Sequence, residues 1–274
     1  MPTISVFMEV ADSFIPTAGT VGLLPMVTYF FLIVAMFAFL GMFIFALVSP
    51  RMTGPAQESP VYSTISSLTI ISVAVAGLTY YLIQTYYYNT LSEIATVSDP
   101  NDRQTLIRES YNAIGQYRYM AWFITTPLLL FQLLNLLRIQ VSAHKRQIAG
   151  LLMATLFMVF ASYIGHEQLS FDNEIQLVPK LVWGLIALID YVSILFTLNR
   201  LWKEFGGQAH PAFRLSAQII AGAWAIYFIG YFLSLTPIDF NWIHLAFTLA
   251  DVVSLIGIGM IIYLVNMNRW TINL

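Results

Sequence analysis

Three ionisable side chains stand where almost nothing else is charged: Arg118, Asp190 and Asp251. Each lies in or beside an apolar stretch long enough to cross a bilayer, where such a group costs about 2.5–3.5 kcal/mol at mid-helix on insertion scales. Each therefore needs a partner or a task. Asp251 shares a helical face with His244, Thr248 and Leu255, which recur at four-three-four spacing and make a polar stripe ending on a leucine. It is either a packing residue bonded to neighbouring hydroxyls or half of an internal ion pair. Arg118 is followed by Ala121, Trp122 and Thr125. Alone, it reads as an arginine extending to the interface. Set against Asp251, it supplies the one balancing charge, and losing one member of such a pair costs about 3–5 kcal/mol. Asp190 lies one heptad after Trp183, and a hydrogen bond to an adjacent helix, or neutrality, is all that its position suggests. His166, Glu167 and His244 suit either a polar cluster at one end of the molecule or ordinary solvated interface. No metal-ligand spacing and no nucleophile–base constellation is present, which argues against an enzyme.

The elements that position these groups follow from composition. Of 274 residues, 58% are hydrophobic and 9% are charged, against roughly 25% charged in soluble domains, and the mean hydropathy is +0.74. An all-α integral membrane protein is expected. The absence of cysteine excludes disulfides and thiolate metal sites, and a net charge of −2 gives no sign of nucleic-acid binding. The first residues lack a basic stretch before an apolar run and do not read as a signal peptide. Seven stretches are long enough to span, which predicts a single domain with helices near 24–49, 61–86, 117–138, 147–166, 180–202, 212–235 and 240–268. The longest connection is expected from about Thr85 to Gln116, around the turn cluster Ser98-Asp99-Pro100-Asn101-Asp102. Tyr86-Tyr87-Tyr88 suggests an interfacial aromatic belt. With the N-terminus outside, Arg51, Arg138, Lys145, Arg146, Arg200, Lys203, Arg214 and Arg269 face the cytoplasm, and only Arg103, Arg108 and Lys180 fall in outer segments. This is the positive-inside bias of a multi-pass protein of the inner cell membrane.

Three ordered motifs carry a resemblance. Arg118-Tyr119-Met120-Ala121-Trp122, continuing through Thr125 and Pro127-Leu128-Leu129, Trp224-Ala225-Ile226-Tyr227-Phe228-Ile229-Gly230-Tyr231-Phe232, and Leu249-Ala250-Asp251 with Gly257 resemble helices three, six and seven of the microbial rhodopsins, in the proteorhodopsin and bacteriorhodopsin branch. Ala76-Gly77-Leu78-Thr79-Tyr80 and Trp183-Gly184 match helices two and five more loosely. The resemblance implies a seven-helix rhodopsin-like bundle. It also implies that Leu255 holds the place of the lysine that binds retinal as a Schiff base. Ala121 then holds the place of the proton acceptor and Gln132 that of the donor, while Thr125 keeps the intervening threonine. Tyr80 and Tyr227 match tyrosines that hydrogen-bond the helix-seven aspartate. Trp122 and Trp224 match the tryptophans that sandwich retinal, Tyr231 its ring end, and Phe228 replaces the usual proline. Gly184 matches a glycine that opens a window for a carotenoid antenna in some relatives, although small residues commonly serve helix packing.

Leucine has no amine, and Lys145, Lys180 and Lys203 are expected in loops or at helix ends. The sequence therefore describes a rhodopsin-like chain with no covalent cofactor and no proton pumping. A non-catalytic structural, interaction or regulatory component of the lipid bilayer is favoured. By family resemblance it is a homo-oligomer, trimer or pentamer, or a partner of other rhodopsins. The alternatives are a protein that holds retinal, carotenoid or lipid non-covalently, and a light-independent ion conductor or sensor using Arg118, Asp251 and His244.

Overall fold

The computed structural model describes residues 14–49, 60–137, 144–170, 174–206 and 211–266. Eight helices dominate it: α1 (Leu23–Val48), α2 (Pro60–Thr96), α3 (Pro100–Asn135), α4 (Lys145–His166), α5 (Leu177–Phe205), α6 (Ala212–Leu233), α7 (Phe240–Asp251) and α8 (Ile258–Asn266). A π-helical turn, Val252–Gly257, joins α7 to α8 without a break. Each helix packs on its chain neighbours, and α7 also packs on α1, so the bundle closes into a ring. Among the described residues, six helical stretches are long and apolar enough to cross a membrane: α1, Ser67–Thr96 of α2, α4, α5, α6 and the continuous run Phe240–Val265. Large apolar side chains such as Phe30, Ile189 and Phe196 face outwards, as the solvent of a bilayer allows.

The predicted long connection does not exist. α2 continues to Thr96 and α3 begins at Pro100, so the link is Val97–Asp99. Asp99 caps α3 by accepting the Asn101 backbone N–H at 2.7 Å, and Pro100 takes the first helical position, where its missing N–H has no cost. Leu91, Ile94, Ile107, Tyr111 and Ile114 are buried along the two extensions. Their polar neighbours hide that helical spacing from a hydropathy count. Tyr87, assigned to an aromatic belt, is wholly buried, and its hydroxyl donates to Asn241 Oδ1 at the start of α7. The expected helix ends at 138 and 268 lie outside the described residues, and the remaining limits are within three residues of those observed. Arg51, Arg138, Asn268 and Arg269 lie outside the described residues.

At one end of the bundle, called the hairpin end below, Leu169 and Ile175 form an isolated antiparallel bridge. This hairpin end also holds the α2–α3 and α6–α7 links, and the residues below are placed relative to it.

Candidate functional site

Arg118 and Asp251 meet in the middle of the bundle. Arg118 lies five turns into α3, and Asp251 is the last residue of α7. Arg118 Nη1 sits 3.1 Å from Asp251 Oδ2. Tyr80 of α2 donates to the same oxygen at 2.7 Å. Oδ1 takes the Tyr227 hydroxyl of α6 at 2.6 Å and the Trp122 indole N–H of α3 at 2.8 Å. Four donors from three neighbouring helices thus saturate one carboxylate. Arg118 Nη1 also donates to Tyr80 Oη, and Nη2 to Thr248 Oγ1, both at 3.0 Å. Thr248 in turn donates to the His244 carbonyl at 2.7 Å. Arg118 and Asp251 are 2% and 3% exposed. At that depth an unpartnered charge would be severely penalised, and here nearly every polar atom is matched. Trp122 is the member that sequence reasoning placed elsewhere, as a pocket wall rather than a donor to the aspartate.

Beside this pair lies a cavity of about 10 Å³, lined by Ala76, Thr79, Tyr80, Arg118, Ala121, Trp122, Thr125, Asp251 and Leu255. Ala121 and Leu255 thus face the same space, with Leu255 on the π-helical turn, a distortion that often marks functional positions. Gln132, further along α3, is buried and its Nε2 has no hydrogen-bond partner. On the other side of Trp122 is an apolar pocket of about 30 Å³ lined by Tyr119, Trp122, Thr126, Met158, Val159, Ser162, Trp224, Tyr227, Phe228 and Tyr231. That volume accommodates about two waters, far less than a polyene. Trp122 and Tyr227 close it from one side, their ring centroids 4.4 Å apart. Phe228 turns from its rim to stack on Tyr191 at 5.1 Å.

Gly184 does not line the pocket. A Cβ there would fall 2.3 Å from Tyr231 Cε1, so the glycine admits the Tyr231 ring and opens no window. Asp190 is partly exposed on α5, and its Oδ2 is enclosed without a hydrogen-bond partner.

A second buried polar cluster lies at the hairpin end, the first of the two readings of His166, Glu167 and His244, and the departure from the sequence reading is that Lys180 joins it. Lys180, expected in an outer segment, is in the first turn of α5 and has no exposed surface. Its Nζ has no hydrogen-bond partner and lies 5.6 and 5.4 Å from the ring centroids of Tyr111 and Tyr231. Tyr231 also donates to the Lys180 carbonyl at 2.7 Å. His166 and His244 are each 1% exposed, so the solvated reading fails for both. His166 Nε2 approaches the Asn112 carbonyl at 2.9 Å, in a notch that exists because Gly115 has no side chain; a Cβ there would fall 2.0 Å from Nε2. Glu167, just beyond α4, accepts from Gln116 at 3.2 Å. Burial pushes its carboxyl above the usual range, opposed by the Gln116 hydrogen bond and the Lys180 charge. The sequence signal for this cluster was His166, Glu167 and His244; Lys180 carried none.

The model of the bacteriorhodopsin-like protein family matches residues 25–269. The chain belongs to that family. Green-light absorbing proteorhodopsins from Gamma-proteobacterium EBAC31A08 and from an unknown prokaryotic organism are each 26% identical over 158 residues, which is 54% of this chain and 59% of theirs. The chain thus spans about 59% of the length of these curated relatives. Among solved structures, thermophilic rhodopsin superposes with a TM-score of 0.70 at 19% identity, covering 90% of this chain and 94% of its own. Xanthorhodopsin, a light-driven ion pump with dual chromophore, gives 0.68 at 18% over 90% and 94%. Exiguobacterium sibiricum rhodopsin gives 0.67 at 20% over 89% and 97%. At these identities the likeness establishes the fold: an all-helical, multi-pass rhodopsin fold.

Proposed function

We propose that this chain is a rhodopsin-fold membrane protein whose central site serves as a static structural pair, with no chromophore tethered to it and no proton pumped through it. The observation that carries this reading is the saturation of Asp251. Four donors, one of them the Arg118 guanidinium, converge on its two oxygens. A counter-ion held this way is fully matched without a protonated Schiff base. The family resemblance assigns the tethering position to Leu255 and the acceptor position to Ala121, and neither side chain can carry a proton. The 30 Å³ pocket beside Trp122 is consistent with a filled chromophore site. In this reading α3 crosses the membrane through its second half, Tyr117–Asn135, as the third of seven spans. The N-terminus is outside, and the hairpin end faces outwards. The molecule acts as a non-catalytic interaction component, assembling with copies of itself or with retinal-bearing relatives.

Lys180 requires one amendment. An amine is buried in the bundle after all, yet among the described residues it lines neither the pocket nor the Ala121–Leu255 cavity. Tyr231 stands between it and the pocket. All-trans retinal added to purified protein is expected to give no red-shifted band that survives denaturation. A band that survives would contradict the proposal.

One observation favours a second reading, a non-covalent binder of apolar ligands. Between α5 and α6, facing the membrane, runs a groove of about 500 Å³ lined by Leu188, Tyr191, Ala225, Phe228, Ile229, Phe232 and Leu233. Its size and lining suit an acyl chain or a polyene. A saturable, vibronically structured retinal or carotenoid spectrum, lost on denaturation, would establish it.

A further inference from the structure

The edge of α5 that faces α6 is apolar, but the opposite edge is not. Ile186, Asp190, Ser193, Thr197, Arg200 and Glu204 recur at four-three-four-three-four spacing. That heptad period holds them on one face of the helix along its length. None of the six is buried, and Ser193, Arg200 and Glu204 are exposed. Trp183 extends the stripe towards the hairpin end, and a Cβ on Gly165 of α4 would fall 2.9 Å from Trp183 Cβ. The stripe therefore runs beside α4, on the outside of the bundle. Leu177–Phe205 is apolar enough to span, so most of this face meets lipid unless another helix covers it. We propose that it packs against the same face of a second copy of this chain, in a twofold pair. At mid-membrane, Asp190 of each copy accepts a hydrogen bond from the Ser193 hydroxyl of the other.

The position of Asp190 carries the argument. It stands about halfway along α5, where an acidic side chain belongs in a bundle interior or against a partner. Its own copy supplies none, because Oδ2 is enclosed without a hydrogen-bond partner. A carboxyl accepts hydrogen bonds whether ionised or protonated, and a serine hydroxyl donates. Three residues of helix rise about 4.5 Å, so two parallel copies of α5 bring each serine within a turn of the other's aspartate. Arg200 and Glu204 repeat the relation in the last turns of α5. They are opposite charges one turn apart, so each copy's arginine meets the other's glutamate. The Thr197 hydroxyl is already used within its own helix, donating to the Ser193 carbonyl at 2.9 Å.

Other faces of the molecule do not offer Asp190 a partner. Among the described residues, the large outward side chains at mid-span are apolar, as at Phe37 of α1, Leu78 of α2 and Val253 after α7. A contact with one of those faces would leave the carboxyl unmatched, whereas a twofold contact of the stripe with itself matches both copies at once. The neighbouring surface of α4 leaves room for the approach. Gly150 and Ala154 continue at helical spacing the α5-facing row of Gly165, and a Cβ on Gly150 would meet nothing within 4 Å. Small residues let membrane helices come close. One polar position in such a seam fixes register and oligomer number.

This inference rests on the reading of the chain as an interaction component and names the face that it uses. The chain has no cysteine, so single introduced cysteines report contacts. In lipid vesicles holding the purified full chain, Ile186→Cys should form a disulfide-linked homodimer on mild oxidation, and Phe37→Cys should not. Energy transfer between labelled copies, followed against protein-to-lipid ratio, gives the dimerisation constant. Asp190→Leu should weaken it about tenfold, while Asp190→Asn, which keeps an acceptor oxygen, stays within about threefold of the wild type. Ser193→Ala removes the donor with little change of volume and should match Asp190→Leu, which guards against misfolding of the larger change. A wild type that is monomeric at every ratio, a dimer indifferent to both Asp190→Leu and Ser193→Ala, or cross-linking through Phe37→Cys alone would overturn the proposal. In native membranes, Ile186→Cys adducts that hold only a different polypeptide would overturn the second copy as occupant. A trapped retinal adduct would sink the reading of the central site and leave this seam untouched, so the two failures are distinguishable.

Discussion

The molecule buries two polar sites about the same bundle axis and treats them in opposite ways. At the centre, Asp251 has a donor on every side, and Arg118 leaves only Nε unmatched. At the hairpin end, Lys180 Nζ, His166 Nδ1, His244 Nε2 and Glu167 Oε1 are all enclosed and all unpartnered. A satisfied buried pair stabilises against the loss of either member, whereas unpartnered polar atoms persist at a cost and point to a ligand or to conformational use. The central site therefore reads as architecture, and the peripheral one as a set of hydrogen-bonding groups that the described residues leave unmatched.

That contrast sets the expected order of mutational effects. Asp251→Asn removes the charge opposite Arg118 and should have the largest effect, about 3–5 kcal/mol of stability, read from thermal unfolding in detergent; an unchanged midpoint would remove the structural role of the pair. Gly115→Ala and Gly184→Ala place a methyl 2.0 Å from His166 Nε2 and 2.3 Å from Tyr231 Cε1. Each should cost about 1–3 kcal/mol through overpacking, and tolerance of the first would mean that the His166 notch is not as tight as described. Trp122→Phe deletes the indole donor to Asp251 and should cost about 1.5–3 kcal/mol, the scale of a hydrogen bond to a charged group. Lys180→Met should run the other way, neutral or stabilising, because it replaces an unpartnered buried amine by an apolar chain of similar length. A loss comparable with Asp251→Asn would show that the two sites are not opposites.

The smallest expected effect concerns pH. Burial, the first cause, raises the Glu167 carboxyl in the folded protein, so the native state holds its proton more tightly than the unfolded chain does. This contribution to stability is fully present below the unfolded pKa and is lost as pH rises through the folded one. Glu167→Gln should remove that part of the slope and little else, since the group is only partly buried and is screened by solvent.

The central pair was legible in the sequence because charges are rare there and because the family resemblance turned Arg118 from an interfacial arginine into a partner for Asp251. An arginine and an aspartate in opposing apolar runs had few other partners, and the stripe His244-Thr248-Asp251-Leu255 gave the face. The extensions of α2 and α3 were not legible. Residues 85–116 carry enough charge and tyrosine to resemble a loop, and only the capping at Asp99–Pro100 ends one helix and starts the next. Lys180 was hidden by the same error: its burial depends on Tyr111, which lies on the unforeseen part of α3. Trp122 was misjudged for a different reason. An indole can be wall or donor, and only the relative rotation of α3 and α7 decides which. Gly184 shows the converse. A glycine that suggested a ligand window is explained by the neighbouring Tyr231 ring.

The most direct test of the account is chemical trapping. Purified protein incubated with all-trans retinal, reduced with borohydride and digested should yield no retinyl-lysine peptide by mass spectrometry. Recovery of a stoichiometric adduct, whether at Lys180 or at any other lysine, would contradict the claim that the chain keeps the rhodopsin fold without tethering its chromophore.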